Sequence, residues 1–195
     1  MQSQYYFENE CYLNMRAINL SNAVILDTET TGLDSSAEIC EISVIDAKSG
    51  DAILNTLIKP KCSIPDEVIG IHGITNEIVE NAPSYADIHN LLINIFNEKR
   101  VIIYNASYDL RLIQQSAAQY DFSPLINPKS IFCAMSWYAE FYGQWDQTRD
   151  NFKWQKLITA AKQQNIDLSD LKAHRALADC EITRRVIDAV NDKLK

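Results

Sequence analysis

The sequence predicts a single mixed α/β domain in which one sheet is covered by helices, and three observations carry this. Its 195 residues suit one hydrophobic core. Strand-like patterns crowd residues 23–58, and strand and helix patterns then alternate from residue 101 onward.

Residues 1–21 have no clear period and are expected to form an N-terminal extension, a helix or arm packed on a domain covering 22–195. The run Ala23-Val24-Ile25-Leu26-Asp27 closes at Thr28-Glu29-Thr30-Thr31-Gly32, as a buried strand ending in a turn does. Ile39–Asp46 alternates loosely, and Lys48-Ser49-Gly50-Asp51 turns the chain into a returning strand over Ala52–Ile58, so at least two strands are antiparallel. Pro60 and Pro65 interrupt the next segment, a loop through Ile71-His72-Gly73-Ile74-Thr75 that leads into a helix from Asn76. Ser84–Asn97 is a second helix, with Ile88, Leu91, Leu92, Ile95 and Phe96 as its apolar residues. Val101–Tyr104 is a fourth strand, followed by a helix from Asn105 through Ala118, a short strand at Ser130-Ile131-Phe132 and a helix over Ala134–Tyr142. Gly143–Phe152, polar with interleaved aromatics, is expected to be a loop, and Trp154–Asn165 and Arg175–Val190 are the last helices.

Composition narrows the function. With 47% apolar and 23% charged residues the chain is neither disordered nor a membrane protein, and no stretch approaches the roughly 20 apolar residues of a span. The net charge of −8 is wrong for wrapping long nucleic acid electrostatically. Residues 21–100 carry 13 acidic against 5 basic side chains, so the surplus carboxylate sits in the first half. The five Cys show no C-x-x-C spacing, which argues against a disulfide framework or structural zinc, and a cytoplasmic location is expected.

Four carboxylates stand where folding alone has little use for them. Asp27 and Glu29 lie two apart at the end of an apolar strand, so both side chains leave on one face. Asp179 falls on the stripe formed by Ile182, Val186 and Val190, about 20° from the two valines on the helical wheel. An ionised carboxylate there needs a partner or a metal, unless the helix N-terminus alone favours it. Asp109 is in the first turn of the helix after the fourth strand, where Asn105 or Ser107 could cap it and where α/β sheets open ligand clefts. His174 stands at the start of the last helix, free to swing toward that cleft. Such oxygen ligands suit Mg²⁺ or Mn²⁺, and two ions about 3.5–4 Å apart stabilise an in-line phosphoryl displacement. An imidazole can take a proton from attacking water near neutral pH.

Asp27-Thr28-Glu29-Thr30-Thr31-Gly32, Asn105-Ala106-Ser107-Tyr108-Asp109 and His174-Arg175-Ala176-Leu177-Ala178-Asp179, with Ile71-His72-Gly73-Ile74-Thr75 between the first two, resemble the motifs of the DEDDh (DnaQ-like) 3′-to-5′ exonucleases, which include polymerase proofreading subunits, RNase T and oligoribonuclease. The likeness covers roughly residues 22–192. It implies an RNase H-like fold with a mixed five-stranded sheet and catalytic Asp27, Glu29, Asp109, His174 and Asp179. In that family Asp27 would bridge two metal ions, Glu29 and Asp179 would complete the first, Asp109 would hold the second, and His174 would be the general base. The backbone of Thr28 to Thr30, together with Ile71, His72 and Asn105, would meet the terminal nucleotide. His174, five residues before Asp179, separates this class from the related one that carries Tyr one position nearer.

The resemblance implies a metal-dependent exonuclease on single-stranded DNA 3′ ends, releasing nucleoside 5′-monophosphates. The alternatives are an exoribonuclease on RNA or short oligonucleotides, and a polymerase-associated binding or proofreading module. Arg149, Lys153, Lys156, Lys162, Lys172 and Arg175 are candidate phosphate contacts or else a solvated helix face. Of the aromatics, Trp145 is the stacking candidate, whereas Tyr138, Tyr142 and Trp154 are expected to pack between helices.

Overall fold

The computed structural model describes residues 15–123, 131–171 and 174–195. Strands β1 (Ala23–Thr30), β2 (Ile39–Asp46) and β3 (Ala52–Leu57) form an antiparallel meander. Helices α1 (Asp66–His72), α2 (Asn76–Val79) and α3 (Tyr85–Phe96) lead to β4 (Arg100–Ile103) and α4 (Ala106–Ala118). Next come β5 (Ile131–Cys133), α5 (Ala134–Tyr142), the short strands β6 (Trp145–Asp146) and β7 (Asn151–Phe152), α6 (Leu157–Gln163) and α7 (Ala176–Lys193). The main sheet has the order β3-β2-β1-β4-β5, with β4 parallel to both β1 and β5.

β1 and β2 are central strands, apolar on both faces, and each face has its own core. Ala23, Ile25, Ile45 and Ile102 pack with α5, α6 and α7, whereas Val24, Leu26, Val44 and Ile103 pack with α3 and α4. Fully burying each of these aliphatic side chains is worth about 1.5–3 kcal/mol, so a one-residue slip of β1 would be very costly. The alternation continues past the apolar run. Asp27 and Glu29 therefore leave β1 on the α7 side, and Thr28 leaves it on the α4 side.

Three segments differ from the sequence expectation. Asp66–His72, expected as loop, is a helix that starts after Pro65 and ends on Gly73 at φ 75°, a conformation glycine adopts without strain. Gly70 inside it had hidden the pattern. The expected loop over 143–152 folds as a β6–β7 hairpin, pairing Trp145 with Phe152 and Asp146 with Asn151. The expected helix over Trp154–Asn165 begins only at Leu157, after the extended N-cap residue Lys156; Gln155 is tied elsewhere, its carbonyl accepting from Tyr104 Oη at 2.9 Å and its side-chain amide donating to Lys153 O at 3.0 Å.

The described part of the N-terminal extension lies on the domain. Ile18 is buried in the α7-side core, and its backbone N–H and C=O pair with the Asn191 side chain at 2.8 and 2.9 Å. Trp137 Nε1 donates to Arg16 O at 3.2 Å. Among the described residues no helix is long and apolar enough to cross a membrane, and Cys40, Cys62, Cys133 and Cys180 are free thiols.

Candidate active site

The C-terminal end of β1 and the first turn of α7 bring Asp27, Glu29 and Asp179 together, each offering a carboxylate oxygen within 4.8 Å of the other two. Burial pushes the Asp27 carboxyl well above the usual carboxylate range, and the charges of Asp109, Asp179, Glu29 and Glu41 push the same way. Glu29 is raised to about 8, first by burial and then by Asp179, Glu41 and Asp109, with Arg175 opposing. Burial also raises Asp179, while the charge of His174 and its backbone N–H favour the carboxylate.

These groups repel as they stand. Asp179 Oδ1 is buried with no hydrogen-bond partner. Crowded carboxylates with an orphaned buried oxygen are what a hard cation would satisfy, and the all-oxygen donor set fits Mg²⁺ or Mn²⁺ rather than a thiolate-bound metal.

Asp109 approaches from the other face of β1. It is 3% exposed on the first turn of α4, and its Oδ1 accepts from Thr28 Oγ1 at 2.8 Å. Burial raises it to about 7 against the opposing pull of the Thr28 bond. Asn105 is the N-cap residue of α4 but makes no side-chain cap; its Oδ1 instead accepts from Ser107 Oγ at 3.3 Å. Of the two capping residues the sequence offered, Asn105 makes no side-chain cap, while the helix N-terminus still favours the acid at Asp109.

His174 is exposed one residue before the N-cap of α7, with φ 60°, a backbone conformation uncommon outside glycine. Thr30 Oγ1 lies 2.6 Å from Tyr108 Oη, and both hydroxyls are within hydrogen-bond reach of Gly32 O, at 3.0 and 3.1 Å. The end of β1 is thus laced to the helix that carries Asp109.

Ile71 and His72 part company. Ile71 is 59% exposed, whereas His72 is 2% exposed. The His72 Nδ1 accepts from Ile74 N–H at 3.0 Å, which leaves Nε2–H to face Thr30 O at 3.3 Å. Its ring thereby braces the end of β1 and has no open face for a base, so in this structure only Ile71 of the pair offers a surface.

The expected phosphate contacts divide too. Arg149, Lys153, Lys156 and Lys162 are exposed, but Arg175 is committed to buried Glu41, and Lys172 lies outside the described residues. Of the aromatics, Tyr138 is buried as expected; Trp154 is 57% exposed, not packed between helices, and Tyr142 is partly exposed. Trp145 is 48% exposed and meets Phe152 edge-on at 5.1 Å, and the Arg149 guanidinium lies 6.0 Å from the Trp154 ring. Sequence reasoning missed Glu41 and Tyr108 as parts of the site; an acid inside the otherwise apolar run Ile39-Cys40-Glu41-Ile42 was the visible sign of the first.

The sequence profile of the RNase T family, described as exonuclease, matches residues 24–187. The chain belongs to this exonuclease family. It is 46% identical over 172 residues to the uncharacterized exonuclease CP81 of Escherichia phage 186, covering 86% of this chain and 87% of that protein. A DNA polymerase III epsilon subunit of Buchnera aphidicola is 34% identical over 106 residues; that match takes in half of this chain and 46% of the relative. Among solved structures, exonuclease X in complex with 5′ overhanging duplex DNA superposes with a TM-score of 0.64 at 26% identity, covering 87% of this chain and 92% of that one. The fold is the mixed five-stranded RNase H-like sheet of these nucleases, and the chain is a nuclease-class hydrolase.

Proposed function

We propose that this chain is a 3′-to-5′ exonuclease that uses two divalent cations, Mg²⁺ or Mn²⁺, to release nucleoside 5′-monophosphates from single-stranded DNA. The observation that carries this reading is the convergence of Asp27, Glu29 and Asp179 around one point, with Asp179 Oδ1 left unpartnered. Asp27, Glu29, Asp179 and Asp109 would hold the ions. Once bound, such ions stabilise the attacking and leaving oxygens of an in-line displacement. His174, exposed beside Asp179, would take the proton from the attacking water. Ile71 would pack on the terminal base, and the backbone of Thr28 to Thr30 and the side chain of Asn105 would orient the terminal nucleotide.

Single-strand preference is supported by the exposed Trp145 and Trp154 beside Arg149, since aromatic faces stack unpaired bases whatever their sequence. The epsilon-subunit relative supports a polymerase as partner. The free thiols suit a reducing, cytoplasmic setting.

The experiment is degradation of 5′-labelled single-stranded DNA and RNA of one sequence with Mg²⁺, Mn²⁺ or EDTA, beside Asp27→Ala and Glu29→Ala. A ladder shortening from the 3′ end on DNA, lost in EDTA and in both variants, is the expected result. Faster loss of RNA would replace DNA by RNA as the substrate. Undiminished hydrolysis by folded Asp27→Ala would reject the site.

A further inference from the structure

Glu41 stands directly opposite Glu29 in the β1–β2 ladder, so the two side chains share the face that receives α7. Four acids therefore crowd one end of the sheet on this side: Asp27, Glu29, Asp179 and Glu41. Glu41 differs from the other three in being fully partnered. Its carboxylate accepts from Arg175 Nε at 3.0 Å, from Arg175 Nη2, and from the backbone N–H of Ala176 at 2.9 Å.

Ala176 is the first residue of α7, and Arg175, its N-cap residue, makes no side-chain cap of its own. The cap is supplied from β2 instead. On one side of the clamp is His174 in its left-handed conformation, and on the other, within the first turn, is Asp179 with its unpartnered oxygen. Both groups assigned to chemistry at the start of α7, His174 just before its N-cap and Asp179 in its first turn, thus flank one buried carboxylate. An ion pair with its carboxylate buried and its guanidinium partly exposed adds little net stability compared with apolar packing, and the best-attested use of such pairs is to specify register.

We propose that Glu41 is a positioning residue: with Arg175 it sets the height of the first turn of α7 against β1, placing Asp179 against Asp27 and Glu29 and holding the turn at His174. The inference rests on the reading of those carboxylates as a cation site.

The test is Arg175→Gln in the full chain, read by Mn²⁺ binding (paramagnetic resonance of free Mn²⁺), by thermal melting, and by kcat and KM on a single-stranded oligonucleotide. Charge alone and positioning predict opposite signs. If Arg175 acts only as a nearby cation, removing it tightens Mn²⁺ binding. If the clamp positions Asp179, Mn²⁺ binding weakens and kcat falls, by about 10–100-fold as for other groups that orient metal ligands, while KM moves little. Arg175→Lys recovers little of this, because an ammonium cannot supply the two-pronged fork. Unchanged or tighter Mn²⁺ binding with kcat retained overturns the proposal.

Glu41→Gln keeps an acceptor for Ala176 N–H and covers the case in which Arg175→Gln does not fold. Wild-type Mn²⁺ binding and kcat in folded Glu41→Gln overturn the proposal equally, whatever happens to the melting temperature. A wild-type chain that binds no Mn²⁺ and degrades no oligonucleotide overturns the cation-site reading itself, and the clamp falls with it. Wild-type binding matched by both variants removes the clamp alone.

Discussion

Thr28, the residue between Asp27 and Glu29, turns its hydroxyl to the opposite face of the sheet and donates to Asp109 Oδ1 at 2.8 Å. One strand end therefore builds both halves of the acidic site, with its odd-numbered carboxylates on the α7 side and its even-numbered hydroxyl on the α4 side. Thr28→Val keeps the shape and removes the only side-chain donor to Asp109 described. We expect activity to fall about tenfold, the effect of losing one hydrogen bond to a charged group. Thr28→Ser should restore most of it, measured as kcat/KM with Mn²⁺; a Val variant as active as Ser would detach Thr28 from the site.

Glu29 and the pH dependence of the metal-free protein are linked. Its carboxyl, raised to about 8 by burial and neighbouring acids, binds a proton more tightly in the folded than in the unfolded chain. Stability is therefore fully present below the ordinary carboxylate pKa and declines as pH rises from about 4.5 toward 8. In EDTA the melting temperature should fall over that range, and Mn²⁺ should raise it more at pH 8 than at pH 6. Glu29→Gln should melt higher than wild type at pH 8 in EDTA, by about 2–4 °C for each kcal/mol recovered, and should lose the stabilisation by Mn²⁺. A lower melting temperature for Glu29→Gln would contradict the repulsion inferred for the site.

The proposed base, His174, can be tested separately from the carboxylates. His174→Ala should lower kcat by about 10²–10⁴-fold, the usual contribution of a positioned base, without weakening Mn²⁺ binding. An unchanged rate in His174→Ala would remove it from the reaction.

Trp145 and Trp154 are predicted to matter in proportion to substrate length. Replacing both by Ala should raise KM for an oligonucleotide of about ten nucleotides, at about 1–3 kcal/mol for each lost stack, and leave a dinucleotide substrate unaffected. Quenching of tryptophan fluorescence by an oligonucleotide in EDTA reads the same contact without turnover. Equal effects on long and short substrates would argue for loss of structure.

Much of this was legible because it depends on local periodicity. The two apolar faces of β1 fix where Asp27, Thr28 and Glu29 point, and the stripe of α7 puts Asp179 inward; both follow from spacing alone. Helix Ala134–Tyr142 has the bounds its pattern implies. What stayed hidden depends on contacts between distant segments. Gln155 is drawn out of a helix by Tyr104, the buried ring of His72 faces Thr30 O, and Arg175 is taken by Glu41. In each case a polar group far along the chain outweighs the local preference, and no window of neighbouring residues contains that partner.

The attachment of Asp179 to α7 has a consequence for biosynthesis. Asp27 and Glu29 emerge from the ribosome with β1, but the cluster closes only after α7, the last helix of the domain, has been made and has packed on the finished sheet. Through most of its translation the nascent chain therefore carries only part of this carboxylate cluster. A product lacking α7 would keep Asp27 and Glu29 on the bare face of β1 without the third carboxylate of their cluster.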